Sequence, residues 1–317
     1  MKSLWLEERT LSLRDTERPT PASGEALVRV RLAGICATDL ELVKGYYPYT
    51  GVPGHEFVGE IVDAPQAPER IGERVVGEIN AVCGACGTCH RGHPRHCEKR
   101  TVLGIVNRNG AFAEFVTLPL ANLLRVSDHV PDEAAVFTEP LAAALEIRSQ
   151  VPIGPTDRVL VIGAGRLGQL IARSLVPSGA RIEAVARHDR HRDLLRAAGV
   201  QVIAEDELPS RAVDVAVEAT GSASGFALAQ RAVRPRGTIV LKSTYAGRLE
   251  IDAAPIVVDE ITIVGSRCGD FAPALQMLEA GQIDPRDLID SERPLGEALA
   301  AFEQAGRPGA LKILLRP

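Results

Sequence analysis

The sequence predicts an α/β protein of two domains, a mostly-β domain followed by a doubly wound parallel sheet. Its 317 residues exceed the roughly 100 to 200 expected of one domain. The first 140 residues alternate apolar and polar positions in short runs, as half-buried strands do. From about residue 156, apolar runs alternate with helical stretches, a pattern typical of parallel strands covered by helices on both faces.

Each predicted element rests on its own pattern. In the mostly-β part, alternation predicts strands at EALVRVRLAGI, GHEFVGEIVDA and FAEFVTLP. In the second part, apolar runs predict strands at RVLVIGAG, RIEAVAR, VDVAVEATG, TIVLKS and ITIVGS, with helices at LGQLIARSLVPSG and RHRDLLRAAG. The closing segment predicts two amphipathic helices, PALQMLEAGQI and LGEALAAFEQAG, and a last strand, LKILLRP.

Composition excludes several classes of protein. Hydrophobic residues make up 45% of the chain and charged residues 24%, which is too apolar for a disordered chain. A net charge of -5 gives no positive field to attract nucleic acid or an anionic membrane. Charged residues interrupt the start of the chain, and no stretch approaches 18 apolar residues. We therefore expect a cytoplasmic protein with no nucleic-acid or membrane partner.

A glycine-rich loop lies between a buried-looking strand and a helix. Its residues are Gly163, Gly165, Arg166, Leu167 and Gly168, in the pattern GxGxxG. The first glycine permits a tight turn, the second lets the backbone approach a pyrophosphate, and the third allows close helix packing. In this context the loop predicts a dinucleotide-binding (Rossmann) domain.

The tip of the next strand bears on the choice of nucleotide. That strand is expected to end at Ala186, followed by Arg187, with no carboxylate where one would bind the ribose hydroxyls of NAD. An arginine beside a small residue suits a 2′-phosphate, so the sequence favours NADP over NAD. Two alternatives remain open: Asp189 supplies the missing carboxylate, or the arginines here form only a solvated helix start.

Four cysteines, Cys83, Cys86, Cys89 and Cys97, crowd into fifteen residues. A reducing cytosol disfavours disulfides but permits thiolate ligands, and four thiolates form a closed tetrahedral shell around one zinc. A closed shell has no position for a substrate, so this zinc is predicted to be structural. An iron–sulfur cluster is the alternative, although the spacing differs from the bacterial ferredoxin pattern.

The motifs GICATD, GHEFVGEIV, the four-cysteine lobe, FTEPLAAALE and VIGAGRLG follow one another over almost the whole chain. In this order the sequence resembles the zinc-dependent medium-chain dehydrogenase/reductase family, especially its polyol and threonine dehydrogenase-like members. The resemblance implies a GroES-like catalytic domain, residues 1–140 completed by 268–317, and a Rossmann cofactor domain, residues 141–267.

The resemblance also implies a second, catalytic zinc. Cys36 and His55 match its ligands, Glu56 matches an adjacent carboxylate that binds the metal in some members, and Glu139 matches the ligand that replaces a cysteine in polyol dehydrogenases. Asp39 matches the partner that orients the zinc-bound imidazole. Thr38 matches the hydroxyl that relays the substrate proton. The outer histidine of the family's relay has no counterpart in this sequence, and Glu41 occupies its neighbourhood instead, so the resemblance does not define the route by which the proton leaves.

Lys312 matches a basic residue that many members place near the cofactor pyrophosphate; a surface lysine is the alternative. The polar residues Tyr46, Tyr47, Tyr49, Asn107 and Arg108 are candidates to line the substrate cleft.

Together these features predict a zinc-dependent oxidoreductase that transfers a hydride between an alcohol and NAD(P). The expected substrate is a polyol, a sugar-like alcohol or an amino alcohol, or the matching ketone. The resemblance further implies a homodimer or homotetramer. The alternatives are a zinc-free quinone or enoyl reductase on the same fold, and a non-catalytic nucleotide-sensing protein.

Overall fold

The computed structural model describes residues 1–208, 210–244 and 248–317. Its strands are β1 (Lys2–Glu7), β2 (Thr10–Asp15), β3 (Glu25–Gly34), β4 (Glu56–Asp63), β5 (Arg74–Gly77), β6 (Asn80–Ala81), β7 (Thr101–Val102), β8 (Phe115–Pro119), β9 (Leu123–Arg125), β10 (Arg158–Ile162), β11 (Arg181–Val185), β12 (Gln201–Ile203), β13 (Val213–Glu218), β14 (Val233–Leu241), β15 (Thr262–Gly265), β16 (Ile289–Pro294) and β17 (Lys312–Arg316).

Its α-helices are α1 (Ala37–Val43), α2 (Gly87–His90), α3 (Asp132–Ala135), α4 (Thr138–Gln150), α5 (Arg166–Leu175), α6 (Asp189–Ala197), α7 (Ala223–Ala232), α8 (Ala253–Val258), α9 (Phe271–Glu279) and α10 (Ala298–Ala305). The chain divides into two compact units. The first comprises Met1–Glu139 with Phe271–Pro317, and the second is Pro140–Asp270. No helix in the described ranges is long and apolar enough to cross a membrane.

The first unit is built on a sheet whose central strand is β3. The strand order is β16-β17-β3-β4-β5-β9, with β8 also paired to β3. All pairings are antiparallel except β16 with β17. Strand β3 buries most of its apolar residues and exposes Arg29 and Arg31, so the alternation seen in the sequence reflects one covered face. Gly34 at the end of β3 is paired with Glu56 at the start of β4.

The second unit contains a parallel sheet in the order β12-β11-β10-β13-β14-β15. Numbered from its own first strand, this is the order 3-2-1-4-5-6 of the Rossmann fold. The order reverses beside β10, so loops at the carboxyl ends of β10 and β13 open a crevice there. Strand β10 is almost entirely buried, as expected of a parallel strand covered on both faces.

Candidate metal and cofactor sites

Strand pairing brings three potential metal ligands together in the first unit. Cys36 follows β3 and precedes α1, while His55 and Glu56 begin β4, the antiparallel neighbour of β3. Because the end of β3 lies beside the start of β4, residues nineteen positions apart in sequence become neighbours. One ligand atom from each of the three residues lies within 4.8 Å of the others.

Asp39 organises this cluster from the first turn of α1. One carboxylate oxygen accepts a hydrogen bond from the Cys36 backbone N–H at 2.8 Å, and the other lies 3.2 Å from His55 Nδ1. Asp39 is fully buried and His55 is 3% exposed. Since Nδ1 faces Asp39, Nε2 is the imidazole nitrogen available to a metal.

The buried negative charges of the cluster favour the binding of a cation. Burial alone would lower the pKa of His55, but the negative charges of Asp39 and Cys36 outweigh it and raise that pKa well above its ordinary value. Among the described residues, Glu56 Oε1 is buried with no hydrogen-bond partner, and Asp39 Oδ1 and His55 Nδ1 are buried and face only each other. A thiolate, an imidazole and a carboxylate form a donor set that suits zinc. The residues present therefore fit a zinc ion.

Glu139 lies in the first turn of α4 and belongs to the same electrostatic environment. Burial raises the pKa of its carboxyl to about 7; the charge of His55 opposes this shift, and the charges of Glu56 and Glu78 add to it. Its carboxylate is not one of the three groups whose ligand atoms cluster within 4.8 Å. Its role as a zinc ligand, direct or through water, therefore stays a prediction.

Lys312 is a buried residue of β17. It is 2% exposed, which excludes the alternative of a surface lysine. Its ammonium forms an ion pair with Glu56 Oε2 and lies 3.4 Å from the Ile35 carbonyl oxygen, and its role near the cofactor pyrophosphate stays a prediction. The reason for the ion pair is topological, because β17 and β4 flank β3 and bring the two side chains together.

Two of the candidate cleft residues also have other roles. Tyr49 is buried, and its hydroxyl donates to the Val52 and Arg108 carbonyl oxygens at 2.7 and 3.0 Å. Arg108 forms an ion pair with Glu25 at 2.8 Å. These groups hold loops in place. Tyr46 and Tyr47 are exposed.

The four cysteines of the lobe converge as predicted for a metal site. Their sulfur atoms lie within 4.8 Å of one another, and adjacent pairs are 3.4 to 3.8 Å apart. None forms a disulfide. Backbone N–H groups of Cys83 and Lys99 point at Cys97 Sγ at 3.4 Å. A backbone hydrogen bond from Cys89 contributes most to lowering the pKa of Cys86 to about 6, which favours a thiolate there, whereas burial raises the pKa of Cys89 to about 12.

In the second unit, the glycine-rich loop joins β10 to α5. Gly163 has a φ of +99°, and a side chain there would press on Ala219 and Thr220. A side chain at Gly168 would clash with the Gly163 carbonyl. No atom lies within 4 Å of the position that a Gly165 side chain would take. Gly163 thus allows the turn, Gly165 leaves the helix N-terminus accessible, and Gly168 allows close packing of the helix on the strand. These are the three features that a pyrophosphate site requires.

Arg192 holds the tip of β11, although one alternative from the sequence placed the arginines of this segment in a solvated helix start. Arg192 on α6 donates to the Ala186 and Arg187 carbonyl oxygens at 2.9 and 3.1 Å. It also pairs with Asp189 at 2.6 Å, so the alternative carboxylate for the ribose already faces a cation. The Arg187 side chain is exposed at the tip.

Sequence interpretation did not include several polar residues at the carboxyl ends of the parallel strands. Glu218 ends β13, is fully buried and accepts hydrogen bonds from the Thr220 and Gly221 backbone N–H groups. Buried Lys242 follows β14 and donates to Ser266, which follows β15, at 3.1 Å. The sequence did contain a signal for these residues: a polar residue follows each apolar run, in VEATG, VLKS and VGS. Ligands of parallel sheets bind at the carboxyl ends of the strands, where these polar residues lie.

The fold and the sites define a metal-binding, dinucleotide-dependent oxidoreductase. Comparison with known proteins agrees: the family described as the alcohol dehydrogenase GroES-like domain matches residues 22–128, and that described as zinc-binding dehydrogenase matches residues 167–280. The chain belongs to the zinc-type medium-chain dehydrogenase/reductase family.

Individual proteins resemble the whole chain. It is 30% identical to D-arabinitol dehydrogenase 1 of Uromyces fabae, covering 100% of this chain and 97% of that protein. A zinc-binding dehydrogenase of Sinorhizobium meliloti 1021, solved bound to NADP, superposes with a TM-score of 0.92 at 27% identity, covering 100% of this chain and 99% of that one. RspB of Escherichia coli CFT073, an alcohol dehydrogenase complexed with NADH, gives 0.92 at 29% identity with the same coverage.

Proposed function

We propose that this protein is a zinc-dependent dehydrogenase that interconverts a secondary alcohol and its ketone, with NADP preferred over NAD. The substrate class is a polyol, a sugar-like alcohol or an amino alcohol. The observation that carries the proposal is the buried cluster of Cys36, His55 and Glu56, organised by Asp39. The similarity to a polyol dehydrogenase over the full chain supports the substrate class.

Cys36 and His55 would hold the catalytic zinc, with Glu56 and Glu139 as the carboxylates beside it. When bound, zinc supplies a Lewis acid that lowers the pKa of a substrate hydroxyl, and nicotinamide supplies the hydride acceptor. Asp39 fixes the His55 ring, and the glycine-rich loop and Arg187 bind the nucleotide.

The position of Thr38 supports a role in moving the substrate proton. It is the second residue of α1, two residues after Cys36, and it is partly exposed. Glu41 lies three residues further on the same helix face, with its carboxylate 2.7 Å from Lys44 Nζ. In this proposal Thr38 Oγ1 accepts the substrate proton as its own hydroxyl proton leaves toward Glu41, and the Glu41 carboxylate releases that proton to solvent.

The preference for NADP is supported by the tip of β11. Ala186 leaves room, Arg187 offers an exposed cation, and Asp189 is paired with Arg192. In R187A we expect the KM for NADP to rise about 10-fold or more, since a hydrogen bond to a charged group contributes about 1.5–3 kcal/mol, with little change for NAD. R196A, which removes an exposed arginine of the following helix α6, is the control. Equal losses with both nucleotides would contradict the preference.

Two other functions are less well supported. A zinc-free reductase or a non-catalytic nucleotide sensor has no need of a catalytic metal site, and the cluster of Cys36, His55 and Glu56 with its imidazole facing Asp39 favours the enzyme over both. The relatives include D-arabinitol dehydrogenase 1 and an alcohol dehydrogenase, which supports an enzyme, and also a protein of Escherichia coli K12 that is named starvation-sensing protein RspB.

A self-association surface is supported by the free edge of the parallel sheet. Strand β15 is the last strand in the order, and apolar side chains nearby are exposed, among them Val257 at 74% and Val258 at 79%. We propose that two copies pair through this edge to form a homodimer, or a tetramer of such dimers.

The test of the proposed function is turnover. Zinc-loaded protein is mixed with polyols, cyclitols, amino alcohols and simple secondary alcohols, each with NADP and NAD, and nicotinamide absorbance is followed. C36A and H55A should lose turnover while still binding NADPH, measured by its fluorescence, whereas H129A, at an exposed histidine, should match the wild type. Full turnover in C36A or H55A would disprove the assignment.

A further inference from the structure

Glu56 and Lys312 form a buried ion pair across Gly34. Strand β3 lies between β17 and β4, and Gly34 is paired with Glu56 on one side and with Leu314 on the other. A side chain at Gly34 would clash with Glu56 Oε2 and come within 3.3 Å of Lys312 Cδ. The absence of a side chain at position 34 is therefore what allows the two charged groups to meet.

The pair is almost completely removed from water. Lys312 is 2% exposed and Glu56 is 1% exposed. The Lys312 ammonium contacts Glu56 Oε2, lies 3.4 Å from the Ile35 carbonyl oxygen, and is 5.5 Å from the centre of the Phe137 ring. The two polar contacts of the ammonium thus direct it toward Glu56 and toward the chain segment leading to Cys36, while the Phe137 ring lies beside it.

The same carboxylate also faces the metal ligands. An oxygen of Glu56 lies within 4.8 Å of the ligand atoms of Cys36 and His55, and Glu56 Oε1 is buried with no hydrogen-bond partner in the described part of the chain. Glu56 therefore has two cations to choose between, the fixed ammonium of Lys312 and a metal held by Cys36 and His55. Removing one partner of a buried pair leaves a charge that must find another.

We propose that Lys312 is a positioning residue that restrains Glu56 and so keeps this carboxylate from becoming a full ligand of the metal. A coordination position thereby stays open for the substrate oxygen. This inference rests on the proposed zinc site and assigns to Lys312 control over its ligand number. Gly34 shares that role, since it makes the restraint sterically possible.

The test uses the full chain with Co²⁺ in place of zinc. Subtracting the absorption spectrum of the C36A protein isolates the bands of this site from those of the four-cysteine lobe. In K312M we expect Glu56 to become a ligand of Co²⁺, and the d–d bands should weaken because the coordination number rises. Metal release to a chelator should be severalfold slower, and kcat should be lower. K312R should resemble the wild type. R316M, which removes an exposed cation of the same strand, is the matched control.

Two further variants distinguish loss of the restraint on Glu56 from a general disruption of the metal site. K312M/E56Q removes both charges, so it should fold and recover the band intensity and release rate of the wild type. G34A keeps Lys312 but displaces Glu56 Oε2, so it should change both readouts in the same direction as K312M. If K312M does not fold, these two variants decide the question.

The experiment distinguishes a failure of the inference about Lys312 from a failure of the proposed function. Wild-type bands and release rates in folded K312M, or in G34A, would overturn the role of Lys312 while the zinc site stands. A C36A spectrum identical to that of the wild type would mean that no metal binds at Cys36, which would overturn both this inference and the proposed function.

Discussion

At the scale of single residues, Asp39 shows how one buried carboxylate organises a ligand set. It contacts the backbone before α1 through one oxygen and the His55 ring through the other. The first contact fixes where Cys36 leaves the strand, and the second fixes which imidazole nitrogen faces the metal. The position of one ligand and the orientation of another therefore depend on the same side chain.

This arrangement predicts the effect of D39N. The neutral side chain no longer stabilises the imidazole as a metal donor, so zinc affinity at this site should fall about 10- to 100-fold. Competition with a chromogenic chelator measures this affinity directly. D132N is the control, because Asp132 is another buried carboxylate of the same unit, bound to Arg31 and Arg74 at 2.8 and 3.1 Å. D132N should lower thermal stability but not zinc affinity; an unchanged affinity in D39N would contradict the prediction.

At the scale of elements, the glycine-rich loop combines a packing role and a binding role in neighbouring positions. Gly168 packs against the carbonyl of Gly163, so it serves the junction between β10 and α5. Gly165 has ordinary backbone angles and open space beside it, so the fold itself does not require glycine there.

Substitution should separate these two roles. G165A should keep the thermal stability of the wild type but lose affinity for NADPH, because the added methyl group occupies the space where the pyrophosphate approaches. G168A should instead lower the unfolding temperature, because its methyl group meets a backbone carbonyl that has no room to move. Calorimetry and fluorescence titration give the two quantities. A destabilised G165A with normal affinity would refute the division.

The four-cysteine lobe is an element with little regular structure of its own. It contains α2, only four residues long, and one short 3-10 turn, Pro94–His96. Metal coordination is therefore expected to supply most of its folding free energy.

C86S should consequently bind one zinc per chain where the wild type binds two. The lobe should also become a site of proteolytic cleavage. Elemental analysis and limited proteolysis with mass spectrometry measure these two effects. C268S, which alters a cysteine of the second unit that forms no disulfide, should keep two zincs. Two zincs in C86S, or iron in the wild type, would show that the lobe is not a four-thiolate zinc site.

At the scale of the whole molecule, the exposed apolar side chains are unevenly distributed. Val257 and Val258 lie at the end of α8, and Ile263 lies on the terminal strand β15. A strand at the end of a sheet also presents unpaired backbone groups, which a second copy can satisfy. The edge at β15 is therefore the surface where we expect self-association.

Analytical ultracentrifugation should find the wild type as a dimer or tetramer. V258D should shift it toward smaller species, because the charge would be buried in an apolar interface. L299D places the same charge on an exposed leucine of the first unit and should leave the association state unchanged. A monomeric wild type, or a V258D protein that sediments like the wild type, would rule this surface out.

The sequence by itself determined the features that depend on local pattern. The α/β class, the glycine-rich loop and the four-cysteine spacing follow from periodicity and from residues close together in the chain, because strands, turns and thiolate shells impose short-range requirements. The dehydrogenase family was also recognisable from the sequence, because its motifs follow one another in the expected order along the chain.

Only the tertiary structure decided which distant residues meet. The order of strands places Lys312 beside Glu56, 256 residues away, a contact that no local pattern indicates. Tyr49 was a candidate for the substrate cleft, but its hydroxyl is bound to two loop carbonyl groups. Glu218 and Lys242 gave no signal beyond a polar letter after an apolar run. Strand order, and hence the neighbours of a buried charge, is set by the packing of the whole sheet and not by the residues on either side in sequence.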